Sequence, residues 1–408
     1  MTTTDENRHA RAHVDGVLIA LVFGLSLFGI VAVCVASFSP GTDPDMPFLN
    51  HIFNSSSTYA LRQCFFLLIA PLVVGVIMAF PYGILRQRAE LFYWISFVLL
   101  TVTTIFNRAT GVKAWLDIIW GYTIQPAEFA KLAMILILAK NLSKQDQPLS
   151  DMHSFIRVFL MVIIPGLVIL LQGETGSLLV IIFLFAVMMY FANVSLKTLG
   201  ILAGIAILGI LAIYGFMVAT HSTDYRLARI AGWLNPELYA SDDAYQQTMS
   251  KMTIGSGGLT GNGMFVEGAI SQLNYVPADW TDFIYATIGE TWGFVGCVSV
   301  LVVYVLILLR MLYLAWYTRD KFGRLIICGV MGMLLFHVLE NIAMTLGLMP
   351  ITGIPLPFLS YGGSNMVTNM GGVGLVLNVT RNRSISIPVN APQTLHNPYR
   401  IRLRARPR

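Results

Sequence analysis

Charge is what this sequence has least of. Asp, Glu, Lys and Arg make up 12% of its 408 residues, about half the share of an ordinary soluble domain, and mean hydropathy is +0.70. A water-soluble globular chain is excluded. Cysteine is scarce too: Cys34, Cys64, Cys297 and Cys328 stand without CxxC spacing, which argues against a disulfide framework or a zinc site. No GxxxxGK[ST] sequence occurs, so no nucleotide or organic cofactor is expected. Internal repeats, low-complexity tracts and nucleic-acid modules are also missing.

What the chain has instead is apolar sequence in runs of spanning length. Hydrophobic residues reach 56% and gather into ten runs, near 14–38, 60–82, 90–106, 124–141, 155–171, 176–192, 195–219, 282–316, 323–347 and 363–380. About 20 apolar residues carry a helix across a hydrocarbon core. A membrane barrel would need segments of about ten residues alternating apolar and polar, yet Leu196 to Ala219 is almost continuously apolar. The expected fold is an all-α integral membrane protein, a ten-span helix bundle. Its first run is too long and too apolar for a signal-sequence core and is read as retained.

Lys and Arg mark cytoplasmic loops. With the N-terminus inside, 19 of the 26 fall on the cytoplasmic side, including Arg86, Arg88, Lys140, Lys144 and seven in the tail. Both termini are therefore expected in the cytoplasm, with a tail at 1–13, a membrane domain at 14–380 and a basic tail at 381–408 lying near anionic membrane lipids. This orientation puts 220–281 outside, between spans seven and eight. Such a long connection in a chain of short ones is where a working surface is expected. Two shorter outer segments join it. In 107–123, Trp115, Ile118 and Ile119 share a helical face suited to the interface; in 349–362, Pro350, Pro355 and Pro357 forbid a regular helix.

An ionisable group inside a span costs about 2.5–3.5 kcal/mol and calls for a partner or a task. Glu128 and Lys131 lie at i, i+3 on one face of the fourth span; the plainer reading is an intrahelical pair. Asp282 opens the eighth span, where its plainer reading is a capping carboxylate. Lys131 and Asp282 are at similar depth near the outer face, so the two could meet. Glu290 is two turns below Asp282, roughly 12 Å away, which suits a structural or relay role. His337, Glu340 and Asn341 share a face of the ninth span and read as a hydrogen-bonded core cluster.

Several segments carry a family resemblance. Gln125-Pro126-Ala127-Glu128-Phe129-Ala130-Lys131, the glycine loop from Ile254 to Gly263, Gln272-Leu273, Thr281-Asp282-Phe283-Ile284, Gly289-Glu290 and Gly353 to Ser364 occur in family order. So does Asp224-Tyr225-Arg226 with Arg229-Ile230. Together they resemble the SEDS (shape, elongation, division and sporulation) family, and the RodA type most. Departures from the pattern are Ala114, Ala127, Gly173-Glu174, Ala278, Trp280 and Thr291.

The resemblance implies a peptidoglycan glycosyltransferase of the bacterial cytoplasmic membrane. It would polymerise lipid II, a disaccharide-pentapeptide on undecaprenyl pyrophosphate, on the outer side and with inversion, beside a class B penicillin-binding protein of the elongation or division machinery. Asp282 is then the catalytic base, or the ligand of a divalent cation (Mg or Mn), and Lys131 the cation that orients it. A pyrophosphate leaving group needs positive charge more than a proton, so one carboxylate base suffices where glycoside hydrolysis uses two.

Arg226 and Arg229 are candidates for the pyrophosphate, with ordinary solvated charge as the plainer reading. Gly257 and Gly258 could offer backbone N–H groups to an anion, with flexibility as the plainer reading. Glu128, Gln272, Ser360 and Ser364 join the candidate substrate contacts. Asn341, like Glu290, is structural or relay. Gly353-Ile354-Pro355 leans toward the elongation branch rather than the division branch, with a sporulation role left as a further alternative. Two rivals remain, a lipid-precursor flippase or transporter and a noncatalytic scaffold. A transporter is expected to show repeats and broken helices, and the sequence signals neither.

Overall fold

The computed structural model describes residues 14–38, 59–106, 114–117, 123–144, 151–219, 225–235, 244–273 and 275–382, with Phe48, His51 and Leu149. Both expected tails lie outside these residues, apart from Arg381 and Asn382. Each apolar run holds a helix: α1 (Gly16–Ala36), α2 (Tyr59–Ala79), α3 (Tyr82–Phe106), α4 (Pro126–Leu142), α5 (Met152–Gln172), α6 (Thr175–Phe191) and α7 (Leu196–Ala219). Two short helices follow, α8 (Tyr225–Leu234) and α9 (Tyr245–Ser256), and then α10 (Ile284–Tyr317), α11 (Lys321–Thr345) and α12 (Gly363–Asn382). Among the described residues, α1, α2, α3, α5, α10 and α11 are long and apolar enough to cross a bilayer. Their outward side chains include Leu68, Leu72, Trp94, Phe106, Leu171 and Trp316. In water such a surface would aggregate; lipid is its solvent, and the chain is a multi-pass membrane protein.

Helix α11 is the exception to this outward-facing pattern. In its most apolar stretch 78% of residues are buried, against 28% for α10. It packs on α4, α6, α10 and α12 and so sits inside the bundle. Polar side chains on α11 must therefore find partners within the protein. Helix α4 is similarly enclosed, with Glu128 and Lys131 both buried. At the other end of the bundle, Asp15 caps α1 by accepting from Leu18 N at 2.8 Å and holds Arg310 of α10 at 2.7 Å.

Two local expectations are corrected. Trp115 precedes not a helix but a two-residue strand, β1 (Leu116–Asp117), paired antiparallel with β2 (Thr123–Ile124); Ile118 and Ile119 lie outside the described residues. The second correction concerns α10, which is broken: Gly293 has φ 65° and ψ −161°, a region open essentially to glycine alone. The glycine loop fills the break. Asn262 N donates to Glu290 O (2.9 Å), Gly263 N to Thr291 O (3.1 Å), Phe294 N to Gly258 O (2.9 Å) and Val295 N to Leu259 O (3.1 Å). Backbone groups freed by the break are thus satisfied by the chain itself.

Candidate active site

Asp282 sits two residues ahead of α10, partly exposed in a recess built by three elements. Asn341 of α11 fixes the backbone on one side, donating to Asp282 O at 2.7 Å and to Ile354 O at 2.8 Å. The proline-rich segment forms a second wall, and a Cβ on Gly353 would stand 3.5 Å from Asp282 Oδ2. Arg229 of α8 supplies the third; its Nη1 donates to Ile351 O at 3.2 Å. Burial pushes the Asp282 carboxyl up to about 6, and the Arg229 guanidinium pulls it down. The result is a carboxylate ionised at neutral pH yet basic enough to take a proton.

Lys131 is placed elsewhere than expected. Its ammonium is fully enclosed, 2.6 Å from Glu128 Oε1 and 2.9 Å from His337 Nε2. No hydrogen bond or ion pair among the described residues joins it to Asp282. The positive charge that bears on Asp282 belongs to Arg229. The sequence missed this because depth along a helix says nothing about which face turns toward which neighbour. Lys131 and Asp282 are instead connected through α11, which holds the first by His337 and the second by Asn341.

Around this pair the polar network continues. Gln125, just before α4, donates to Glu174, whose carboxyl is raised to about 7 by burial, with the Gln125 bond opposing and the Glu128 charge adding. Thr352 donates to Glu340. One oxygen each of Glu128, Glu174 and Glu340 is buried without a hydrogen-bond partner. Removing Lys131 would leave Glu128 in this enclosure without its counter-charge, at a cost of about 3–5 kcal/mol. Lys131→Met is therefore expected to lower the thermal midpoint sharply, and Lys131→Met with Glu128→Gln to recover much of the loss. Equal midpoints for the single and double variants would refute the pairing.

The remaining candidates divide by what they touch. Ser360 Oγ donates to Thr281 O (2.6 Å) and accepts from Leu356 N (2.8 Å), and Ser364 Oγ accepts from Gln125 N (3.2 Å); both hold backbone. Gln272 Oε1 accepts from Gly268 N (2.6 Å). Glu290 accepts from Ile270 N (2.7 Å) and Ser271 N (3.0 Å) and so ties that loop to α10. N–H groups of the glycine loop are spent within the protein: Gly257 and Gly258 donate to Gly255 O, and Asn262 and Gly263 donate into α10. The Gly257 and Gly258 N–H groups, which could have served an anion, are thus already paired within the loop. Arg226 lies on α8 with its side chain outside the described residues. Trp280, two residues from Asp282, stacks on Tyr59 at 4.8 Å. Among the described residues no group of three or more His, Cys, Asp or Glu side chains gathers to hold a metal.

Residues 16–385 match the family model FTSW_RODA_SPOVE, described as cell cycle protein. The chain belongs to this family. Its FtsW/RodA/SpoVE relatives include stage V sporulation protein E of Bacillus subtilis, 32% identical over 371 residues that cover 90% of this chain and 97% of the relative. Peptidoglycan glycosyltransferase MrdB of Escherichia coli is 32% identical over 317 residues, 77% of this chain and 84% of the relative. Among solved structures, one described as the structural coordination of polymerization and crosslinking by a peptidoglycan synthase complex superposes with TM-score 0.73 at 28% identity, covering 91% of this chain and 98% of that one. The rod shape determining protein RodA of Thermus thermophilus gives TM-score 0.65 at 26% identity, covering 91% and 97%. The FtsW/RodA/SpoVE fold thus extends over nearly the whole described chain.

Proposed function

We propose that this chain polymerises lipid II into glycan strands on the outer side of the bacterial cytoplasmic membrane. The observation that carries the reading is the Asp282 recess: one partly exposed carboxylate with a raised pKa and a guanidinium bearing on it, in a membrane-embedded member of this family. The acceptor sugar's 4-hydroxyl loses its proton to Asp282 as its oxygen attacks the anomeric carbon of the donor chain. The bond to pyrophosphate breaks with inversion. Negative charge grows on the leaving group, and Arg229 is the cation placed to meet it, with Lys131 as a fixed charge deeper in the bundle. We assign no step to a divalent cation; one bound at Asp282 would supply further positive charge to the same pyrophosphate.

The accompanying topology is ten spans with both termini in the cytoplasm, which puts Asp282, α8 and α9 on the outer side. The partner is a class B penicillin-binding protein, which would crosslink the strands. We place the chain in elongation on Gly353-Ile354-Pro355. Division and sporulation are the alternatives, and restoration of rod shape in cells depleted of their own RodA, against restoration of septation in cells depleted of FtsW, decides among them.

A flippase has one observation in its favour, the broken helix α10. In transporters such breaks turn freed backbone toward a substrate cavity, whereas here residues 258–263 occupy them. Purified protein with its partner, given lipid II in detergent, is expected to yield a ladder of glycan polymers on a gel. Movement of lipid II across vesicles without polymer would install the flippase reading, and neither activity would leave the scaffold.

A further inference from the structure

We propose that His337 is a positioning residue that sets where the Lys131 charge lies relative to Asp282; the inference rests on the polymerase reading above. Two hydrogen-bond partners fix the protonation state of the imidazole. His337 Nδ1 is 2.7 Å from Met333 O, and a carbonyl only accepts, so Nδ1 carries the proton. His337 Nε2 is 2.9 Å from Lys131 Nζ, and an ammonium only donates, so Nε2 carries a lone pair. The ring is a neutral acceptor held in one tautomer by its own helix.

That acceptor changes what the Glu128–Lys131 pair is. Left with Glu128 alone, three residues back on α4, the ammonium would fold along its own helix and satisfy a local pair. His337 draws it across to α11. Four residues further along that helix, about 6 Å along its axis, Asn341 grips the backbone of Asp282 and of Ile354. Between them Glu340 binds Thr352 in the wall of the same recess. One turn of a buried, rigid helix therefore fixes the ammonium, the recess wall and the base in a single spacing. His337 is the contact through which Lys131 enters that arrangement, and it touches neither the base nor the outer surface.

The test separates positioning from mere packing. His337→Leu removes the acceptor; His337→Gln restores one in its place. With purified protein, its transpeptidase partner and lipid II, His337→Leu is expected to lower kcat tenfold or more with KM within about threefold. His337→Gln is expected to stay within threefold of wild type. In a Lys131→Met, Glu128→Gln background, which is expected to regain the lost stability but has no ammonium to place, His337→Leu should cause no further fall in the residual activity. A structural role would instead lower both backgrounds by the same factor, and that result, or a His337→Leu enzyme with wild-type kcat, overturns the proposal. Wild-type protein that makes no polymer would fail at the earlier reading, and the two failures are told apart by that first lane.

Discussion

Asp282→Asn is expected to reduce glycan polymerisation by about 10²–10⁴-fold, the usual contribution of a positioned base, while leaving the fold intact. The substitution keeps the shape of the side chain and the backbone bonds from Asn341 but removes the only feature the mechanism uses, a carboxylate able to take a proton. The pH profile offers a second reading of the same group. Burial pushes this acid up to about 6, and the ionised form is the base, so activity should be full above that pH and fall about tenfold per unit below it. Arg229 opposes the rise. Arg229→Met should therefore move the acid limb to higher pH as well as lowering the plateau. Residual activity of Asp282→Asn within tenfold of wild type, with the acid limb unchanged, would remove Asp282 from the mechanism.

The largest stability effect is expected at the break in α10. A Cβ on Gly293 would stand 2.4 Å from Gly261 N and 2.6 Å from Leu259 O, and the φ of 65° with ψ of −161° costs a non-glycine residue about 1–3 kcal/mol before any clash. Relieving the clash means withdrawing the glycine loop and giving up bonds that span the break, each worth about 0.5–1.5 kcal/mol. Against a total stability of about 5–15 kcal/mol, Gly293→Ala should lower the thermal midpoint in detergent by about 10 °C or more, or abolish a monodisperse peak. Gly200→Ala on α7 has nothing within 4 Å of the added carbon and should be neutral. Equal midpoints for the two variants would show that the loop does not need the break.

The contrast between these residues says what a sequence can reveal here. The apolar runs announce their helices because length alone suffices in lipid, whereas Asp282 stood out only through the Thr281-Asp282-Phe283-Ile284 resemblance, since an aspartate at the head of a helix is an ordinary cap, as Asp15, Asp151 and Asp320 are here. Lys131 was legible as a costly group but not as a partner of His337, which is 206 residues away in the chain; helix rotation, which hydropathy does not encode, brings them together. Gly293 was illegible for a different reason. In Glu290-Thr291-Trp292-Gly293-Phe294-Val295 nothing interrupts an apolar helical reading, and the break exists only because a distant loop supplies the missing backbone partners. The strand pair at 116–124 escaped notice because two residues a side leave no alternation to read.

The filled break also has a mechanical meaning. Loop residues 258–263 splice α9 to both halves of α10, and Asp282 stands just ahead of the first half. Helix α9, the splice and the head of α10 consequently form one hydrogen-bonded unit, which Gln247 and Ser250 fasten in turn to the end of α11. Under the polymerase reading proposed above, a load on α9 would be shared between α10 and α11 before it reached Asp282, whose backbone Asn341 holds.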